Sequence, residues 1–324
     1  MPLDASAQRL LNQIRAAGLP PMETLPVAAA RVGYARSRAA LAHDPPEVAE
    51  VRDLTFPSAG LAIKARLYRG TAAPRDTAPV VAFFHGGGWV LGDLESHDSF
   101  CRWLANDARC AVLAVDYRLA PEHKFPAAAD DAEAAVSWLA AEGVALGIDP
   151  SRVAVAGDSA GGNLAAVAAI AARESGRTLR LQVLVYPALD LAMTHDSHRR
   201  AGEGYTLTAS AMRWFRDLYL ARPEDVASWR ASPLRRGDFR GVAPAFIVTG
   251  GCDPLCDEST DYAQRLIGAG VDVTYRFYPG QMHGFVSAGK VIPEGRAAAL
   301  EIAAALDAAF SQTGKFSSRS TGSP

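Results

Sequence analysis

The stretch VAVAGDSAGGNLA, Val153–Ala165, sets three glycines around a lone serine, between a β-branched run and an alanine-rich one. Val153, Val155 and the alanines beside them read as a short buried strand, and Asn163 to Ala172 is rich in helix-forming alanine. A strand that turns sharply into a helix holds one residue at strained dihedrals and brings two backbones close together. Glycine, lacking a Cβ, relieves that crowding. Gly157-Asp158-Ser159-Ala160-Gly161 has the G-x-S-x-G form of a nucleophile elbow, in which a serine hydroxyl stands exposed on the turn. A glycine-rich turn that merely packs a helix on a sheet would share the pattern, so its context decides.

On both sides of this stretch, short apolar runs alternate with helical ones. Val51 to Phe56 and Leu61 to Tyr68, joined around Pro57 to Gly60, read as an antiparallel hairpin. Further strands are expected at Val80 to Phe84, Ala111 to Val115, Val153 to Ala156, Leu181 to Tyr186, Ala245 to Gly250 and Val273 to Tyr278. Helical spacing marks Asp98 to Asp107, Ala127 to Glu142, Ala160 to Glu174, Ser259 to Ala269 and Glu294 to Phe310. Such alternation requires parallel pairing with right-handed crossovers. The expected fold class is α/β: about eight strands in a mostly parallel sheet, with helices on both faces. Ligands of such sheets bind at the carboxyl ends of the strands.

Two segments fall outside the alternation: residues 1–45, helical with no strand partner, and residues 187–242, far longer than a crossover needs. The second contains Ala209 to Leu220, whose Met212, Trp214, Phe215, Leu218 and Tyr219 give an apolar face suited to a helical cap over a site. The core is then expected in two parts, 46–186 and 243–312, followed by a Ser- and Gly-rich tail at 313–324 expected to be disordered.

Composition narrows the function. The chain of 324 residues is 49% hydrophobic with a net charge of −2, and no Lys/Arg block gives nucleic acid a reason to bind. No stretch approaches the roughly 18 apolar residues of a membrane span, and no secretory h-region opens the sequence, so no stable membrane insertion and a cytoplasmic location are expected. The four cysteines, Cys101, Cys110, Cys252 and Cys256, suit neither a disulfide framework nor a zinc site and read as buried thiols.

Candidate catalytic groups fall at strand ends. HGGGWVLGD, His85–Asp93, follows the Val80 to Phe84 strand, and backbone amides in such a glycine run can face a developing oxyanion. A serine hydroxyl needs a base, and the base a carboxylate to orient it. Among seven histidines, His283 lies directly after the last strand; His85 is placed to brace the glycine loop, and the other five are expected in structural or exposed roles. Asp253 follows Ala245 to Gly250 immediately, whereas Asp257 and Glu258 open a helix, where carboxylates are favoured without any catalytic role. The order Ser159, Asp253, His283 is that of α/β-hydrolases.

HGGGWVLGDLESHD, DYRLAPEHKFPAA, GDSAGGNLA, DPLCDE and MHGF resemble the hormone-sensitive-lipase-like carboxylesterases, bacterial family IV of the α/β-hydrolase fold, from about Val51 to Phe310. The resemblance implies Ser159 as nucleophile, His283 as base and Asp253 as its partner, with an oxyanion hole of the Gly86, Gly87 and Ala160 amides. It implies that the two unassigned segments form the cap, and that soluble small-molecule esters of short to medium acyl chain are the substrates. Trp89, Trp214, Phe215 and Tyr219 are candidate pocket residues. No metal or organic cofactor is required. An amidase or lactonase on the same triad, and a silent ligand-binding member of the fold, are the alternatives. Family habit also allows a homodimer through the outer strand and final helix.

Overall fold

Strand β3 (Ala78–Phe84) is buried along its whole length, because its side chains alternate between two faces that are both covered. In the computed structural model, which describes residues 2–312, Val80, Ala82 and Phe84 point into one core and Val81 and Phe83 into another. Around β3 lie β1 (Glu50–Ser58), β2 (Leu61–Arg69), β4 (Ala111–Val115), β5 (Ile148–Asp158), β6 (Gln182–Val185), β7 (Ala245–Cys252) and β8 (Val273–Met282), in the order β1-β2-β4-β3-β5-β6-β7-β8. β2 pairs antiparallel with both β1 and β4, and the pairs from β4 to β8 are parallel.

One core joins the sheet to α4 (Ala127–Glu142), α5 (Ala160–Glu174), α7 (Ala209–Tyr219), which the single-turn α6 (Ser197–Arg200) precedes, and α8 (Cys256–Gly268). The other joins it to α1 (Ala5–Ala16), α3 (Asp98–Asp107) and α9 (Pro293–Ser311). Within residues 1–45, α1 sets Ala7, Leu10 and Leu11 into that second core, whereas α2 (Val27–Leu41) packs against the turns at 95–97 and 286–288. Arg31 of α2 donates to the Val90 and Ala120 carbonyls and pairs with Glu122. Among the described residues no helix is long and apolar enough to cross a membrane. The tail at 313–324 lies outside the described residues.

Two strands run furthest beyond their apolar runs. β5 begins at Ile148, which pairs with Ala78 across a register shift; the segment between carries a half-exposed Asp149–Arg152 ion pair of 2.7 Å and so lacks the apolar signature. β8 continues past Pro279 and Gly280 to Met282, which pairs with Cys252 after an irregularity in β7.

The elbow between β5 and α5 is the tightest part of the fold. A Cβ at Gly161 would lie 1.9 Å from the Phe84 carbonyl oxygen, and one at Gly157 would lie 2.2 Å from the Gly161 carbonyl oxygen. Both would meet rigid backbone rather than a side chain able to turn aside. Gly161→Ala is therefore expected to destabilise the protein by about 3 kcal/mol, at the upper end of ordinary overpacking. Urea unfolding of the variant beside the wild type measures the loss; an unchanged midpoint would mean that the crossing relaxes freely.

Candidate active site

Ser159 sits between the end of β5 and the start of α5 at φ 57°, ψ −118°, a conformation side chains other than glycine's adopt only under strain. Its amide donates to the Val185 carbonyl at 2.9 Å and its own carbonyl accepts from Asn163 and Ala188, so the turn is held from three sides. His283 follows the last pairing of β8, and Asp253 follows β7. The structure brings these three together: His283 Nε2 lies 2.9 Å from Ser159 Oγ, and His283 Nδ1 lies 2.7 Å from Asp253 Oδ2. A carboxylate can only accept, so Nδ1 carries the proton and Nε2 is left to accept from the serine hydroxyl. Asp253 is wholly buried, and its other oxygen takes the Leu255 amide at 2.8 Å. The Tyr186 ring lies 4.6 Å from the imidazole, and Thr206 donates to the His283 carbonyl at 2.8 Å.

The glycine loop after β3 meets the elbow directly. The Gly86 amide, expected to face an oxyanion, donates instead to Asp158 Oδ1 at 2.8 Å, which corrects that expectation: the donor is already consumed by a buried carboxylate. Among the described residues the amides of Gly87, Gly88 and Ala160 donate no hydrogen bond. Gly87 and Gly88 lie at φ 126° and 61°, and a Cβ at Gly88 would fall 2.2 Å from the Phe215 ring. Phe215 of α7 thus rests on the loop. Trp89 and Tyr219, expected at the pocket, stack on each other at 4.3 Å and are closed to solvent, and half-buried Trp214 tilts against Phe215.

His85 Nδ1 lies 2.9 Å from the Gly86 carbonyl oxygen and its ring stacks on Tyr117. His97, one of the five histidines expected in structural or exposed roles, is buried with Nε2 3.2 Å from Asp158 Oδ1, a polar contact whose alignment falls short of a hydrogen bond. Burial opposes the charge of Asp158, yet His97, Arg38 and the Gly86 amide together hold its carboxyl down at about 2. The sequence signal for this pair was slight: a carboxylate at a motif position that accepts any residue, and a histidine in a turn.

Asp257 and Glu258 do more than open α8. Glu258 accepts from the Leu189 and Asp190 amides at 2.5 Å and lies 3.1 Å from His198, while Asp257 accepts from the Ser197 amide at 2.8 Å and pairs with Arg200. They fasten the 187–242 segment beside Asp253. Glu23 and Arg15 fasten the same segment to the N-terminal one through Ser210 and the Gly204 carbonyl. All four cysteines are buried thiols; burial, then Asp253 and Asp257, push Cys256 up to about 11, so it stays protonated at neutral pH. Among the described residues no three His, Cys, Asp or Glu side chains converge as a metal site. A groove of about 950 Å³, lined by Arg173, Leu179, Val242, Pro244, Val271 and Asp272, opens at the amino ends of β6 to β8, opposite the triad end of the sheet.

Burial, then His97, lowers the His85 pKa from 6.5 to about 4. The folded state thus refuses a proton that the unfolded chain takes, so His85 costs no stability above pH 6.5 and progressively more as pH falls to about 4. The loss attributable to it is expected to reach about 3 kcal/mol. Urea unfolding at intervals across that window, on wild type and His85→Asn, measures it; equal pH slopes for the two would refute it.

Comparison with known proteins places this geometry in a family. Residues 81–287 match the α/β-hydrolase fold family. The chain is 40% identical over 299 residues to the ethyl acetate hydrolase of Pseudomonas putida, covering 90% of this chain and 93% of that one. It is 39% identical over 284 residues to the carboxylesterase NlhH of Mycobacterium tuberculosis, covering 84% and 88%. An ester hydrolase from the metagenome of Lake Arreo, solved with a bipyridine phosphonate derivative, superposes with a TM-score of 0.92 at 42% identity over 96% of this chain and 100% of that one. The hyperthermophilic esterase of Pyrobaculum calidifontis gives 0.90 at 42% identity, over 95% and 99%. The chain therefore belongs to the α/β-hydrolase fold family, in its hormone-sensitive-lipase-like branch, and is a carboxylic ester hydrolase.

Proposed function

We propose that Ser159 is the nucleophile, His283 its general base and Asp253 the carboxylate that orients the base, in hydrolysis of short- to medium-chain acyl esters. The observation that carries this reading is the unbroken line from Ser159 Oγ through His283 to Asp253, with contacts of 2.9 and 2.7 Å. His283 Nε2 takes the serine proton as Oγ attacks the ester carbonyl, then gives it to the departing alkoxide. Water, deprotonated by the same nitrogen, releases the acid from the acyl-enzyme. The amides of Gly87, Gly88 and Ala160 receive the oxyanion, with the N-terminus of α5 adding its dipole. Gly88 here takes the part first expected of Gly86.

In this reading α2 and the 187–242 segment act as a cap, with Phe215 and Trp214 limiting the acyl chain while Trp89 and Tyr219 bind the cap to the oxyanion loop. The relative named for ethyl acetate supports a short acyl group. Buried thiols suit a cytoplasmic setting. A homodimer through β8, whose outer edge exposes Thr274, Arg276 and Phe277, completes the proposal.

Ser159→Ala is expected to lower kcat by at least ~10⁴-fold with fold and stability kept, and Asp253→Asn by about 10⁴-fold through loss of the correct tautomer. Turnover of p-nitrophenyl esters by each purified variant is the measurement, and activity surviving in Ser159→Ala would remove the triad. On the same esters from acetate to palmitate, the wild-type kcat/KM is expected to peak within roughly C2 to C8, successive methylenes changing it by about 1–3 kcal/mol of discrimination. A maximum at palmitate would overturn the assigned chain length.

A further inference from the structure

We propose that Asp158, the residue just before the nucleophile, is a positioning residue that fixes the oxyanion loop against the elbow, with His97 packed beside it. The inference rests on the oxyanion reading above and adds what holds those donors in aim. A G-x-S-x-G turn accepts any side chain at this position. A buried carboxylate is costly unless paired. Asp158 is 7% exposed, so its presence calls for partners, and the two groups its carboxylate touches, the Gly86 amide and His97, lie on the loop or beside it.

The loop is pinned peptide by peptide. A trans peptide is planar, with its N–H and C=O pointing opposite ways. The peptide joining His85 to Gly86 is held at both ends: Tyr117 donates to the His85 carbonyl at 2.7 Å, and the Gly86 N–H donates to Asp158 Oδ1 at 2.8 Å. The next peptide is held by its carbonyl, since His85 Nδ1 lies 2.9 Å from the Gly86 oxygen and a carbonyl can only accept. Its N–H, that of Gly87, must therefore point away from His85, into the space where the structure gives it no partner among the described residues. Asp158, by fixing the peptide before this one, and His85, by holding its carbonyl, thus together aim a donor that Asp158 never touches. His97 is steadied by Ser96, whose hydroxyl lies 2.9 Å from His97 Nδ1 and accepts from the Asp93 amide at 3.0 Å. The Asp158 oxygen not bonded to Gly86 lies 2.5 Å from where a Gly86 Cβ would be, so loop and elbow are in direct contact here.

The test compares Asp158→Ala, Asp158→Asn and wild type, with active sites counted by the acylation burst. Asp158→Ala is expected to lose ~100-fold in kcat, the scale of a misplaced oxyanion donor, with KM within about threefold of wild type. Inhibition by a trifluoromethyl ketone, whose adduct carries the oxyanion, is expected to weaken in step with kcat/KM. Asp158→Asn keeps an acceptor for Gly86 and is expected to recover activity to within about tenfold of wild type. Asp158→Ser, whose hydroxyl is too short to reach Gly86, is expected to behave like the alanine variant and serves where that variant does not fold. Three results would overturn the proposal: kcat unchanged without the carboxylate, kcat lost with ketone affinity intact, or an asparagine variant as impaired as alanine. If Ser159→Ala itself retained turnover, the underlying triad reading would fail instead, so the two failures are told apart.

Discussion

At Gly161 the chain passes so close to the carbonyl of Phe84 that no side chain can stand between them, and the arrangement of the site depends on this crossing. It brings the start of α5 under the end of β3, so that the loop leaving β3 and the turn leaving β5 share one small volume. Ser159 is held there at a strained φ, costing on the order of 1–3 kcal/mol, and is kept so by backbone bonds to Val185, Asn163 and Ala188. Two apolar cores, one on each face of the sheet, supply the rigidity that such strain requires.

Two buried carboxylates serve this volume in different ways. Asp253, with no exposed surface, gives one oxygen to the Leu255 amide and the other to the His283 imidazole, which fixes both the tautomer and the direction of that ring. Asp158 spends its charge on the neighbouring loop. Near Asp253, Asp257 and Glu258 at the start of α8 hold the 187–242 segment by its backbone. The anchors of the 187–242 segment and the carboxylate that holds the His283 ring are thus carried by one short stretch of chain, DPLCDE.

Much of this was legible in the residues. The apolar runs gave β4, and the helical spacing gave α3, α4 and α5, with the ends the structure has, because burial on both faces or on one helical stripe leaves a periodicity that no other constraint disturbs. Strand ends were less clear where polar residues extend the pairing, as at Asp149 to Arg152. The site divides in the same way. Ser159, Asp253 and His283 each follow a strand, so topology alone carries them to one end of the sheet. Gly86 and Gly88 are two residues apart in one run of identical glycines, and nothing local distinguishes them. Trp89 and Tyr219 look like lining until their rings are found stacked on each other.

The sequence by itself determined the alternation of strand and helix, the elbow and the order of the three catalytic candidates, since these follow from periodicity and from short-range steric needs. Only the tertiary structure decided which amides of the glycine loop are left unpaired, because that depends on whether another side chain has already taken them. Asp158 reaches Gly86 across 72 positions of sequence, and a hydrogen bond between segments so far apart leaves no mark on the residues around either partner.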